Sequence, residues 1–324
     1  MTSNSVWARV YIPGRVEGEV ELAPVTVVMG LPRSGKTALL TLLYVAMRGA
    51  KYAGLHIPAS IFGVDVPRDG EVELVSLREC EKCEPLLSLV CGREGCRAVG
   101  RLDAKPLFVP ADAEAVVRYY GIPFAPWHYL EFEHLVKKLR VGSSRQPVCT
   151  GGYEEVLDRM PEPKLVAKDG KLYEALGDVL VDVYDASTTT AKLGVLEESL
   201  RRGLLDRYTH ILFDNPDAGL HPLSQAKLAL MMHALANCGK TVVVATHSVV
   251  FVDMLTRTDY VNRMVGASVK PADVAIYAIE DGRIKRYESY ASYIRDYTPY
   301  IYALYGYSPV ESGKDYMVFR SGGP

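Results

Sequence analysis

The octapeptide Gly30-Leu31-Pro32-Arg33-Ser34-Gly35-Lys36-Thr37 sets two glycines, a lysine and a hydroxyl at the spacing G-x-x-x-x-G-K-T. Each residue type has a use in holding phosphate. Gly30 and Gly35 let the backbone curl so that successive N–H groups, through Arg33 and Ser34, point at phosphate oxygens. Lys36 reaches the terminal phosphates, and the Thr37 hydroxyl is an oxygen ligand for Mg²⁺. The apolar run before the loop, VTVVM, reads as a strand, and ALLTLLYVAM after it reads as a helix whose N-terminus adds partial positive charge. Strand, loop and helix in that order are the context a P-loop requires, so the expected ligand is ATP with Mg²⁺.

A second group of candidates lies far downstream. RYTHILFD is an apolar strand ending in Asp214, a carboxylate suited to hold Mg²⁺ through its water shell. Asn215, Asp217 and the Leu220-His221-Pro222 turn follow, then a helix, and then the strand KTVVVATHS ending at His247. Asn215 raises the chemical question. An amide cannot take a proton from water at neutral pH, although it can orient one by hydrogen bonding. Asp217, two residues on, is the nearest alternative carboxylate, and its other reading is a structural acid that never touches water.

FDNPDAGLHP followed by ATHS resembles the Walker B, D-loop and switch-histidine regions of ABC-type ATPases, most nearly the soluble archaeal and bacterial AAA-type proteins related to RecF, SMC and OLD ATPases. VELAPVTVVMGLPRSGKTALL fits the same group, in which a short antiparallel sheet precedes the P-loop. The likeness covers roughly residues 5–50 and 185–290. It implies a P-loop NTPase fold and head-to-tail, ATP-dependent dimers, each ATP held between one subunit's P-loop and the other's signature motif. It further implies a Glu where Asn215 stands, so the expectation is a weakened, slow ATPase with Asp214, Asn215, Asp217 and His247 at the catalytic edge. His247 is expected to sense the γ-phosphate. The signature position falls in DASTTTAKLG, where Ser187, Thr188 and Thr189 either face the partner's nucleotide or serve as an ordinary helix N-cap. The Leu-Ser-Gly-Gly-Gln form used by transporters is absent. The functions implied are a nucleotide-gated dimer regulating an unidentified protein partner, a non-hydrolysing ATP-binding scaffold, or the ATPase of a nucleic-acid-processing or defence complex.

The elements that must position these residues divide, on this reading, into an ATPase core at 1–51 and 185–324 and an inserted α+β region at 52–184. Hairpins are expected about Asp69-Gly70, Asp169-Gly170 and Asp281-Gly282, with helices in ADAEAVVRYYG and PWHYLEFEHLVKKLR. Within the insertion, Cys80, Cys83, Cys91 and Cys96 have the spacing of a tetrahedral zinc knuckle, the preferred reading. Two disulfides and unmodified thiols are the alternatives, while Cys149 and Cys238 read as isolated structural residues. The C-terminal Tyr287, Tyr290, Tyr293, Tyr297 and Tyr300 recur at helical spacing, which favours packing over base stacking.

Bulk properties restrict the partners. Of 324 residues, 48% are apolar and 23% charged, and the formal charge is −2, so net charge gives no support for nucleic-acid binding. TVVVATHSVVFVDML is too short and too polar to span a bilayer. With no basic leader ahead of an apolar stretch, a cytoplasmic location is expected. Asn and Gln are scarce, a compositional mark of thermophilic proteins that would make intracellular disulfides plausible.

Overall fold

The computed structural model describes residues 6–48, 71–92, 95–119, 127–161 and 163–296, with two further strands at 307–310 and 318–321. One 11-stranded sheet carries most of the chain up to Arg286. Its parallel part has the spatial order β13 (Val274–Glu280), β3 (Val25–Gly30), β12 (Thr241–Ala245), β11 (His210–Asp214) and β7 (Pro106–Val109). These strands are nearly continuous apolar runs because helices or chain cover both faces, and every residue of β11 and β7 is buried. Helix α1 (Lys36–Arg48) packs on one face; from Leu39 to Met47 it is buried on all sides, matching its unbroken apolar sequence. Tyr44 on α1 meets Phe108 of β7 edge-on, 6.0 Å between ring centroids.

The rest of the sheet is built on antiparallel ribbons. β1 (Val6–Ile12) and β2 (Val16–Leu22) form a hairpin, β4 (Val72–Arg78) joins the outer side of β1, and β5 (Leu87–Gly92) and β6 (Gly95–Gly100) continue to the edge. β14 (Arg283–Tyr287) links this part to the parallel part through β2 and β13. Described strands from 52–184 thus enter the same sheet as β1–β3, and β7 lies directly beside β11. Contacts divide the chain after Arg286.

Smaller elements complete this unit: α2 (Ala113–Arg118), α3 (Leu130–Arg140), α4 (Glu154–Arg159), α5 (Val195–Arg201), α6 (Pro222–Asn237), α7 (Val249–Thr256) and α8 (Thr258–Val265). A second antiparallel sheet holds β8 (Leu165–Lys168), β9 (Lys171–Leu176) and β10 (Val179–Asp182). The β8–β9 turn is Asp169-Gly170, at φ 50° and 75°, and the turn before β14 is Asp281-Gly282, at φ 47° and 77°. Both central positions have positive φ, as tight hairpin turns require, so these two turn expectations hold. The hairpin expected at Asp69-Gly70 lies outside the described residues. The helix expected over 126–140 begins as α3 only at Leu130, after a 3₁₀ turn at Trp127–Tyr129.

The second unit, from Tyr287 onward, includes a helical stretch at 290–296 and the paired strands β15 (Tyr307–Val310) and β16 (Val318–Ser321). Tyr287 ends β14 and is not on the helical stretch, which corrects the helical spacing expected of it; Tyr287 and Tyr293 are buried with their rings edge-on, centroids 5.2 Å apart, a packing role as expected. Tyr297 and Tyr300 fall outside the described residues.

The zinc expectation is corrected. Cys80 pairs with Cys83, and Cys91 with Cys96. Cys80 and Cys83 follow the C-terminal end of β4, whereas Cys91 sits opposite Val72 at its other end. At the rise of an extended strand these pairs are roughly 20 Å apart, far beyond the reach of one tetrahedral ion. No His, Cys, Asp and Glu cluster among the described residues suits a metal by itself. Cys149 and Cys238, read as isolated, also form a disulfide; it ties the loop before α4 to the C-cap of α6 across a sequence separation of 89. Denatured chain prepared without reductant should show no titratable thiol and no zinc. Cys149→Ser should lower stability by about 2–4 kcal/mol in calorimetry, by freeing a long loop in the unfolded chain.

Burial also fixes a pH response. Desolvation pushes His210 on β11 down to about 4, and His128 likewise, the latter partly opposed by Asp112. The unfolded chain takes these protons near pH 6.5, while the folded chain refuses them down to about 4. Stability is therefore full above pH 6.5 and falls as pH drops toward 4, by about 2–3 kcal/mol for a site as buried as His210. Urea midpoints at pH 7 and pH 4.5 should show this fall, and His210→Gln should flatten it; a slope unchanged in that variant would contradict the assignment.

Candidate functional site

β3 delivers its chain into the loop at the C-terminal edge of the parallel strands, between β12 and β13. Gly30 has φ 147°, and a Cβ there would meet Ser34 Oγ at 2.7 Å and the Ile279 carbonyl at 2.9 Å. Gly35, at φ 103°, leaves no room for a Cβ beside Val16. Arg33 is itself left-handed, at φ 66°. The loop therefore has the curled backbone expected of residues 30–37, and α1 starts at Lys36. The Lys36 ammonium lies back over the loop, donating to the carbonyls of Gly30 and Leu31 at 2.8 and 2.9 Å. Burial lowers its pKa, and Asp214 opposes that shift.

The loop's last residue meets the end of β11. Thr37 Oγ1 donates to both Asp214 oxygens, at 3.1 and 2.9 Å. Desolvation raises the Asp214 pKa, the Thr37 bond and Lys36 pull it down, and Asp112 raises it. One hydroxyl and one carboxylate thus converge as hard oxygen donors, the set that Mg²⁺ prefers.

Asn215 follows with φ 41°, a left-handed backbone that Asn tolerates better than most residues. Its N–H donates to Ala245 O at 2.8 Å. Its side chain bridges two of the expected residues: Nδ2 donates to Asp214 Oδ1 at 3.3 Å, and Oδ1 lies 3.0 Å from His247 Nδ1. Asp214, Asn215 and His247 are brought together. Asp217 is not part of that line. Its carboxylate is buried and accepts from Thr246 Oγ1 at 2.7 Å, and the same threonine oxygen accepts from Ser248 N–H. It holds the turn that carries His247. His221, in the Leu-His-Pro turn, caps α6 by accepting from Leu223 N–H.

Ser187, Thr188 and Thr189 lie at the start of a helix that passes through a π turn at Thr190–Gly194 into α5. Ser187 is an N-cap, its Oγ accepting from Thr190 N–H at 3.1 Å. Glu174 of β9 closes the cap: it accepts from Ser187 N–H at 2.9 Å, from Ser187 Oγ at 3.0 Å and from Thr190 Oγ1 at 2.5 Å. Burial raises the Glu174 pKa, and these hydrogen bonds outweigh it, leaving the carboxyl below its usual range. Lys192 anchors the same helix, donating to Ala111 O beyond β7 at 2.6 Å and to Ala218 O in the turn after β11 at 2.9 Å.

Three contributors are not singled out by the sequence: Asp112, Glu174 and Lys192. Asp112 follows β7 on the same sheet edge as Asp214 and accepts from Tyr129 Oη at 2.8 Å. The strand-plus-Pro-Ala segment PLFVPA was the only local signal for it. Glu174 and Lys192 looked like ordinary charged residues, and nothing near them in sequence names their distant partners.

No family model and no curated protein matches the chain. Solved structures do. An SMC head bound to the C-terminal winged-helix domain of ScpA aligns with TM-score 0.53 at 12% identity, over 88% of this chain and 97% of that one. An SMC head domain from Thermotoga maritima gives TM-score 0.47 at 12% identity, over 88% and 98%. The ADP conformation of an ATP-binding cassette of an ABC transporter gives 0.45 at 12% identity, over 93% and 98%. At such identities the likeness is one of fold, and the first alignment carries it.

Asp217→Ala should leave the Thr246 hydroxyl buried without its acceptor and cost about 1–3 kcal/mol in urea unfolding. Asp217→Asn keeps an acceptor and should cost clearly less. Equal losses would place the effect elsewhere.

Proposed function

We propose that this chain, with the fold of an SMC head and so of the ABC-type ATPases, binds Mg²⁺ and ATP and hydrolyses ATP slowly as a nucleotide-gated dimer. The observation that carries the reading is the meeting of the P-loop hydroxyl Thr37 with Asp214 on one sheet edge. Thr37 and Asp214 would hold Mg²⁺, and a bound Mg²⁺ supplies neutralising charge to the β- and γ-phosphates. The loop from Gly30 to Lys36, with Arg33 and Ser34, cradles the phosphates through backbone N–H groups, and Lys36 swings from its own carbonyls to them. In the dimer, the helix start at Ser187, Thr188 and Thr189 faces the partner's nucleotide. Ser187 is already bonded to Glu174 and Thr190, which leaves the contact chiefly to Thr188 and Thr189.

Slowness follows from Asn215, which stands where related ATPases carry the Glu that polarises water. A lost base of this kind costs about 10²–10⁴ in rate, and Asp217 does not replace it, because its carboxylate is spent on Thr246. Binding and closure remain, so the nucleotide-bound dimer is long-lived and serves to gate a protein partner. The solved SMC head bound to a ScpA domain gives one precedent for partner docking on this fold. The second reading, an ATP-binding scaffold without turnover, draws on the same Asn215. Among the described residues no helix is long and apolar enough to cross a membrane, and we place the protein in the cytoplasm.

Lys36→Ala should abolish ATP retention in equilibrium dialysis. Asn215→Glu should raise single-turnover hydrolysis about tenfold or more, with dimerisation followed by light scattering, even though Glu is less at ease than Asn at φ 41°. If wild type and variant both bind ATP and neither hydrolyses it, the scaffold reading replaces the ATPase one.

A further inference from the structure

The helix that follows Ser187 starts on an anion that the chain itself supplies. Residues 188–201 are helical without a break, and their start lies against the turn after β11, where a Cβ on Gly219 would meet Thr188 Cγ2 at 3.4 Å. Lys192 ties the helix to the same turn through Ala218 O. Ser187 is exposed, yet its donors point inward. Its N–H goes to Glu174 Oε2 at 2.9 Å and its Oγ–H to Oε1 at 3.0 Å, while Oγ itself accepts from Thr190 N–H at 3.1 Å. A serine hydroxyl has one hydrogen to give. Given to Glu174, it leaves none for a ligand outside.

The start of a helix holds negative charge because its free N–H groups and its dipole favour an anion. Glu174 is buried there, and burial works to raise its pKa; hydrogen bonds from Thr190 and Ser187 more than offset this and keep it ionised. These donors are all uncharged, so a full negative charge remains where an incoming phosphate would arrive.

We infer that Glu174 is an autoinhibitory contact, a built-in anion that fills the helix start and holds Ser187 back from the γ-phosphate carried by the partner subunit. The inference rests on the ATPase reading above and deepens it by adding a gate to the dimer. A phosphate oxygen bonded to Ser187 Oγ would lie beside the carboxylate bonded to the same atom, and two anions so close repel. Closure onto Ser187 therefore requires β9 to withdraw Glu174, or Ser187 to turn from it. Until then the contact rests on Thr188 and Thr189, and the dimer is looser than the nucleotide alone would make it. The gate belongs to the β8–β9–β10 sheet, so a protein that shifts this sheet would tighten the dimer without touching nucleotide.

The test measures the dimer dissociation constant of full-length chain by sedimentation, with Mg²⁺ and either β,γ-imido ATP or ADP. Glu174→Gln keeps the shape and removes the charge. With β,γ-imido ATP it should tighten the dimer about tenfold, since Ser187 then offers a hydrogen bond to an anion at each of two sites. With ADP it should not. Ser187→Ala should cost the Glu174→Gln dimer clearly more than the wild-type dimer, a coupling read from the double-mutant cycle. Melting curves report folding; if Glu174→Gln does not fold, Glu174→Asp, its carboxylate drawn back by one methylene, replaces it and should move the same way. A dimer unchanged or weakened by the loss of charge overturns the inference and marks Glu174 as a support of the helix start. So does equal tightening with ADP, or an equal cost of Ser187→Ala in both backgrounds. If every form binds β,γ-imido ATP and none dimerises, the gate is overturned and nucleotide binding stands. If none binds it, the ATPase reading falls and the gate with it.

Discussion

The hydrogen bond from Thr37 to Asp214 joins residues 177 apart in sequence, and the rest of the site depends on it. It forms because the strands leading to the site end level with one another. β12 lies between β3 and β11, with Ala245 registered against Val28 on one side and Asp214 on the other. Three parallel strands therefore release their loops at one edge, where ligands of open α/β sheets collect. A slip in either pairing would separate the loop at 30–37 from the carboxylate that its hydroxyl touches. The buried, two-sided character of these strands and of α1 guards that register, since a shifted strand would expose apolar surface.

A second set of ties holds the loops once the strands have delivered them. Lys192 reaches two carbonyls, one after β7 and one after β11, and its ammonium is also 3.2 Å from Glu114. Tyr153, Glu197 and Lys227 form another buried group: Tyr153 Oη donates to Glu197 at 2.8 Å, and Lys227 Nζ lies 2.8 Å from the same carboxylate. Desolvation raises the Glu197 pKa, and Lys227 opposes it. Such groups are costly to bury and costlier to break, because removing one partner strands the other. Their effect is to fix how the helix carrying Ser187 meets α6 and the turn after β11.

How much of this was legible in the sequence varies with the distance over which each feature is encoded. The P-loop, the strand ending at Asp214 and the two Asp-Gly hairpins are local: glycine positions, apolar runs and turn chemistry specify them within a dozen residues. The pairing of cysteines is not. CxxC followed by a second close pair reads the same whether the pairs converge or lie at opposite ends of β4, and only the β4–β5 register decides. Cys149 and Cys238, Glu174 with Ser187, and Lys192 with Ala111 and Ala218 are long-range in the same sense. The placement of β7 beside β11 also escaped, because a four-residue buried strand carries no periodicity to distinguish it. At Asn215 the residue type was visible as a departure, while its left-handed backbone and its grip on His247 were not.

That backbone angle bears on how the site can change over generations. A chain that has settled an asparagine into left-handed geometry, with both amide ends occupied, puts strain on any change to glutamate there. The longer acid would have to enter a conformation that disfavours it and give up the bond to Asp214 that now orients the group. Aspartate is the easier neighbour: it tolerates the same angle and lies a single base change away, yet beside Asp214 it would bring two carboxylates into contact unless a cation stood between them. The shape of the chain at this position thus favours keeping the asparagine, whatever the rate at which the site works.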